Sequence, residues 1–320
     1  MSAAYHLPVL VDEVCEGLAP ALRAAPGLPV VDCPLGGGGH AEAILGRLEA
    51  PRLLGLDRDP AAIEFASQRL APFGDRFCAT HAPFSTLAEV LADLGVGPVA
   101  RELPPRTEVV LRCQLDRRER GFSFMGDAPL DMRMDTTRGP TAAEVLATID
   151  AKALTRLLRE LGEEPDADRI AKAIVATRPT TTRALAEVVE NAMSARQRRQ
   201  IGKRIHPATR TFQALRIHVN RELEELATFL DEAPELLSLG GRLAVITFHS
   251  LEDRAVKRRF GALSRAPEPP RGLPIPAAEL PTARFSIPKG ARQGWTASAA
   301  ELETNPRSRS ARLRVLERAA

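Results

Sequence analysis

The chain has 320 residues, 44% hydrophobic and 27% charged, enough for two domains, or for one domain with a large insertion, around full hydrophobic cores. Aromatics are scarce at 4%, which excludes a platform that stacks many bases. No apolar stretch approaches the ~20 residues of a membrane span, the first residues lack a signal-peptide pattern, and the net charge of +3 is close to neutral. The four cysteines, Cys15, Cys33, Cys78 and Cys113, show no CxxC pairing and no histidine at zinc-ligand spacing. They read as small core residues in a reduced, cytoplasmic setting, and no metal site is expected.

In chain order, LPVVDCPL (28–35) predicts a short buried strand running into GGGGH. Ala41, Ile44, Leu45 and Leu48 then recur at helical spacing. PRLLGLDRDP (51–60) predicts a second strand ending in acids, and AAIEFASQRLAPF the next helix. RFCATHAPF (76–84) suits a third strand, and STLAEVLADLG a helix that stops at its glycine. Such alternation predicts a parallel, doubly wound α/β sheet. The pattern then breaks. Residues 117–140 are loop-like, and 141–195 carry helical signals alone in TAAEVLATI, ALTRLLREL, DADRIAKAIVAT and TRALAEVVENAM. FQALRIHVNRELEELATFL predicts one long helix, GGRLAVITFHS (240–250) a strand after a Gly-Gly turn, and LEDRAVKRRF another helix. Residues 264–300, rich in Pro, Ala and Gly, read as a loop, and SARLRVLER (310–318) as a last strand. The predicted organisation is a sheet domain over 1–116 and 213–320, interrupted by a helical insert over 117–212.

The sharpest local signal is DCPLGGGGHAEAI. Glycines allow a tight strand-to-helix turn and close approach of a ligand to the backbone, and the helix start beyond them offers free N–H groups. Asp57, ending the next strand, can accept hydrogen bonds from both ribose hydroxyls of an adenosine cofactor. Gly36-x-Gly38-x-x-Ala41 also matches the dinucleotide fingerprint, so on this loop alone NAD and S-adenosylmethionine stay level.

Charge is unevenly placed. Arg196, Arg198, Arg199, Lys203, Arg204 and Arg210 fall in a stretch without acids, and Arg307, Arg309, Arg312 and Arg314 cluster near the end. Local basic runs attract phosphate backbones. Arg198, Arg199, Lys203 and Arg204 are the candidate phosphate-backbone contacts, which the resemblance below would make contacts to RNA.

Taken together, HLPVLVDEV (6–14), GGGGHAEAIL, LLGLDRDPAAI, HAPFS, RGFSFMGDAPLDMRMD, HPATRTFQALRIHVNRELEEL, GGRLAVITFHSLEDRAVKRRF and NPRSRSARLRVLER resemble, in order and through almost the whole chain, the bacterial 16S ribosomal RNA (cytosine-N4)-methyltransferases of the RsmH or MraW type. The resemblance implies a class I S-adenosylmethionine-dependent methyltransferase fold, a Rossmann-like doubly wound sheet with a helical domain inserted after the fourth strand. It implies methyl transfer to the exocyclic N4 amine of a cytidine in the decoding region of 16S rRNA. The implied partners are that RNA and the small ribosomal subunit, with neither DNA nor membrane, and homo-oligomerisation stays open. Carried over by motif, Gly38, Gly39 and His40 contact the cofactor in the loop, Asp57 holds the ribose, Phe84 lies near the adenine, and Gln114 completes the set.

The family pattern is not kept everywhere. Pro34 stands for a usual Thr, Ala128 for a usual Gly, and Pro165 interrupts a GEER-like stretch. One departure is larger. Where the family carries a strand resembling DGILLDLGVSSPQLD, with an acid facing the cofactor, residues 100–113 read ARELPPRTEVVLRC, and only Gln114-Leu115-Asp116 remain. A local shift of reading frame or true divergence would both give this text. Val109-Val110-Leu111 still favours a strand, so the fold is expected to survive with weakened cofactor binding.

Methylation of cytosine N4 needs an acceptor for the amine hydrogens and a base that is unpaired or flipped out. Candidate acceptors are Asp131 and Asp135 in PLDMRMD, Asn220 in IHVN and His249 in TFHS. The (Asp/Asn)-Pro-Pro-aromatic motif of many amino-group methyltransferases is absent, so this specificity rests on the resemblance. Two readings compete: a non-catalytic RNA-binding or ribosome-assembly protein disabled at 100–113, and an NAD-dependent oxidoreductase on the same glycine loop.

Overall fold

The structure, a computed structural model, describes residues 7–27, 29–48, 52–94, 126–201, 206–266 and 282–319, with the backbone of 108–112. It comprises two compact units, one made of Met1–Gln114 with Glu225–Ala320, the other of Leu115–Glu224.

The first unit is built on a sheet of β1 (Val30–Cys33), β2 (Leu53–Asp57), β3 (Phe77–His81), β4 (Glu108–Arg112), β5 (Arg242–Thr247), β6 (Phe285–Ser286) and β7 (Arg312–Arg318). Its order is β3-β2-β1-β4-β5-β7-β6. β1 to β5 run parallel, and β7 pairs antiparallel with β5 and β6. The strand order reverses between β1 and β4, and in open α/β sheets ligands bind at the carboxyl ends beside such a switch. Successive residues point to opposite faces. Val31, Cys33, Leu54, Leu56, Leu243 and Val245 therefore feed one core, while Val30, Leu53, Ala244, Ile246 and Leu313 feed the other.

Helices α1 (Val11–Ala24), α2 (Gly39–Arg47), α3 (Pro60–Leu70) and α4 (Leu87–Asp93) belong to this unit. α1 buries Val14, Leu18 and Leu22, which recur every fourth residue along one face. Asp59 caps α3 by accepting from the Ala61 N–H, with Pro60 at the first helical position.

The second unit is helical: α5 (Ala142–Thr148), α6 (Ala151–Gly162), α7 (Ala167–Thr177), α8 (Thr182–Ala192), α9 (Ala195–Ile201) and α10 (Thr209–Asn220). Thr141 and Glu144 form a capping box on α5, and Asp150 and Thr181 cap α6 and α8. Leu154, Leu158, Ile170, Ile174, Leu185 and Leu215 meet in its core.

Several elements differ from the sequence reading. The long helix over 212–230 is two, α10 and α11 (Glu222–Leu236), separated at Arg221 with φ 51°. Phe212, Ala214 and Leu215 of α10 pack into the helical core, so that unit runs to Glu224 instead of 212. The loop over 264–300 contains β6, the start of α13 (Ala299–Thr304) and a bridge from Trp295 to Leu313. α1 and α9 went unpredicted. The altered segment does supply a central strand: β4 pairs with β1 and β5, Val110 opposite Asp32 and Val109 opposite Leu243.

Candidate functional site

The glycine turn follows β1, and its shape is set from two sides. Gly38 has φ 72°, a left-handed conformation that only glycine adopts without strain. A side chain there would also press on Ala66 and Leu70 of α3. Arg69 of α3 donates to the Gly37 carbonyl and pairs with Glu42. From the β2 side, Asp57 accepts the Gly36 N–H at 2.7 Å and the Asp59 N–H at 2.8 Å. Asp57 thus holds the turn in place and puts a carboxylate at the carboxyl end of β2. Burial pushes its carboxyl above the ordinary range, an effect the two N–H donors partly offset.

His40 is fully buried, and its Nε2 lies 2.8 Å from the Val9 carbonyl. It ties the segment before α1 to α2, while Pro8 lies 3.0 Å from where a Gly39 Cβ would stand. Glu301 accepts the Leu10 N–H at 2.8 Å, and Asn305 donates to the Leu7 and Pro8 carbonyls. The N-terminal segment is therefore clamped onto the glycine turn by the C-terminal end of the chain. Phe84 is buried, edge-to-face on Phe229 with ring centres 5.6 Å apart. Gln114 lies outside the described residues.

These groups fit an adenosine-containing cofactor. α2 begins without a side-chain cap, which leaves N–H groups at its start. The Asp57 carboxylate lies beside that turn, and a carboxylate has more acceptor positions than the two N–H groups use. Sequence reasoning missed Asp32, fully buried at the end of β1 just before the turn. The signal was an acid embedded in the apolar run VVDC. Burial, with Asp32 and Asp57 nearby, drives the Cys33 thiol well above its usual range, so Cys33 is an inert core thiol.

In the helical unit, the PLDMRMD loop is held by its own side chains. Asp131 grips Arg133 through both oxygens, at 2.7 and 2.9 Å. Asp135 accepts from the Thr137 N–H and hydroxyl. Asn220, expected as an acceptor of amine hydrogens, directs its amide elsewhere. Its Oδ1 accepts the Met134 N–H at 2.7 Å, and its Nδ2 donates to the Met132 carbonyl at 2.7 Å and the Arg216 carbonyl at 2.9 Å. Met132 has φ 61°, uncommon for a residue with a side chain, and Asn220 supports that backbone. Asn220 thus ties α10 to the loop backbone.

His249 has a comparable structural task in the sheet unit. It caps α12 (Ser250–Leu263): its Nδ1 faces the Glu252 N–H at 3.4 Å, and its Nε2 lies 3.2 Å from a Glu252 oxygen. Glu252 also accepts the Phe248 N–H at 2.8 Å.

Of the candidate RNA contacts, Arg198 and Arg199 are exposed on α9, whereas Lys203 and Arg204 lie outside the described residues. The C-terminal arginine cluster does not act as one patch. Arg314 is 5% exposed and binds both oxygens of Asp253, at 2.6 and 3.0 Å.

The strand order, with a glycine turn after β1 and an acid ending β2, defines a class I S-adenosylmethionine-dependent methyltransferase fold. The model of the MraW methylase family matches residues 3–319, and the chain belongs to that family. A protein named ribosomal RNA small subunit methyltransferase H from Nocardioides sp. is 47% identical over 323 residues, 99% of this chain and 98% of that one. One of the same name from Aromatoleum aromaticum is 49% identical over 325 residues, again 99% and 98% of the two chains. Among solved structures, an rRNA methylase from Streptococcus thermophilus covers 97% of this chain and 94% of its own at 13% identity and TM-score 0.38; the fold class rests on the strand order instead.

Proposed function

We propose that this chain transfers a methyl group from S-adenosylmethionine to the N4 amine of a cytidine in the decoding region of 16S rRNA. The observation that carries the reading is the Asp57 carboxylate locked against the glycine turn at the carboxyl end of β2. Family membership and relatives named for ribosomal RNA small-subunit methylation supply the substrate class. Membership also sets the oxidoreductase alternative aside.

When bound, S-adenosylmethionine supplies an electrophilic methyl group on a sulfonium. Asp57 would accept hydrogen bonds from the ribose, the glycine turn from Gly36 to Gly39 would let the backbone come close, and Phe84 would wall the adenine. Gln114 is carried over by motif alone. The cytosine amine holds its lone pair in conjugation with the ring, so a group that accepts its hydrogens helps the nitrogen to pyramidalise. Asp131 and Asp135, whose ionised carboxylates accept without donating, are suited to that task, and each also accepts a neighbouring backbone N–H. Asn220 and His249 stay candidates for the same task beside the backbone contacts they make. Arg198, Arg199, Lys203 and Arg204 would meet RNA phosphates.

The test is to incubate the chain with labelled S-adenosylmethionine and small subunits lacking the modification, then map the labelled atom. Label on a cytidine N4 in the decoding region is the expected result. Binding of RNA with no transfer would favour the non-catalytic assembly protein, and label on another atom would sink the N4 assignment. Asp131→Asn and Asp135→Asn should lower the rate of transfer while cofactor affinity holds. Equal rates would remove both as acceptors.

A further inference from the structure

A second cationic feature lies on the sheet unit, on the face of α12 turned away from the core. Val256 and Phe260 fix the buried side of this helix. Arg254, Lys257, Arg258 and Gly261 fall on the other side, three, four and seven residues along from the first, which is one helical stripe, and Ser264 and Arg265 follow just past the helix end. Together with Arg292, Gln293 and Arg314 they line a cavity of about 890 Å³ floored by Phe260, Ile287 and Val315. A Cβ on Gly261 would meet nothing within 4 Å, so the middle of the stripe is open.

Among the described residues, every charged one lining this cavity is basic. The charge of Arg314 is matched by Asp253 beneath it, and Arg254 has a partner of its own. Lys257, Arg258, Arg265 and Arg292 are exposed and form no ion pair among the described residues. Four like charges around one concavity repel one another, which costs stability unless a polyanion neutralises them.

We infer that the α12 groove is an RNA-binding surface that takes the phosphodiester backbone of a single-stranded segment. The choice of RNA over an acidic protein rests on the rRNA reading under Proposed function and on the density of one charge sign above an apolar floor. The groove uses none of the residues assigned above to cofactor, amine or phosphate contacts.

The test compares the full chain with a variant carrying Lys257→Gln, Arg258→Gln, Arg265→Gln and Arg292→Gln. The probe is fluorescein-labelled oligouridylate of about 30 nucleotides, titrated across a range of salt. Each phosphate contact on a single strand contributes about 0.7 to the log–log salt slope, so losing four should flatten it by about 2–3 and weaken binding at least about tenfold near 150 mM salt. S-adenosylmethionine affinity should not move, since none of the four residues packs in the core, and the unfolding midpoint without RNA should hold or rise as the like-charge repulsion is relieved. An unchanged slope overturns the inference. So does competition by polyglutamate as strong as that by unlabelled oligouridylate, which would make the groove a site for acidic protein. The two proposals fail separately. A chain that modifies rRNA but shows an unchanged variant slope loses only the groove, and one that binds RNA through α12 but modifies no rRNA loses only the activity.

Discussion

Replacing Asp57 separates its hold on the glycine turn from the ribose contact proposed for it. Asp57→Ala leaves the N–H groups of Gly36 and Asp59 without their acceptor. A buried donor left unsatisfied costs about 1–3 kcal/mol. Relief from burying a charge offsets part of this, so a loss of about 2–4 kcal/mol is expected in urea unfolding. A charge-assisted hydrogen bond to ribose is worth about 1.5–3 kcal/mol, so affinity for S-adenosylmethionine should fall more than about tenfold by isothermal titration. Asp57→Asn is the cleaner variant, because it keeps the shape and one oxygen and removes the charge. The carboxyl lies above its ordinary value of 3.8 because it is buried. Folding therefore tightens its hold on a proton, and this contribution to stability, present in full below 3.8, is lost as pH rises through the folded value. Cofactor affinity has the opposite sign. It needs the ionised form and drops as pH falls through that raised value. Asp57→Asn should show neither dependence. If it folds as wild type and binds the cofactor equally well at neutral pH, the ribose role is refuted.

Asn220→Ala removes the hydrogen bonds that hold Met132 and Met134 and should cost about 2–4 kcal/mol in denaturant unfolding. A loss under about 0.5 kcal/mol would show that the loop keeps its shape without Asn220. Arg314→Met leaves Asp253, itself partly exposed at 27%, without its bidentate partner and should lower stability by about 1–3 kcal/mol in the same assay; no change would mean that solvent screens the pair completely. Replacing 100–113 with a family-like strand ending in DLGVSS should raise both cofactor affinity and methyl transfer. Micromolar binding and normal turnover by the chain as it stands would instead show that another residue makes that contact.

Much of the sheet was legible because its strands are unbroken apolar runs between turn signals, as in VVDC before GGGGH and LLGLD before RDP. The turn and its acid were equally legible, since a glycine cluster and a carboxylate at successive strand ends have few other uses. The short elements were not. β6 has two residues and α13 six, too few for any periodicity, and the split at Arg221 is one residue's φ inside a helical pattern.

By itself, the sequence determined the alternating core, the break into a helical segment and the cofactor turn, because each is written in neighbouring residues. Only the tertiary structure decided which groups the polar candidates contact. Asn220 finds its loop partners 86 and 88 residues away, and Arg314 finds Asp253 61 residues away. Hydrogen bonds over such separations leave no mark in local spacing. A polar residue in an apolar pattern reads the same whether or not it holds backbone, and only its partners in space tell the two apart.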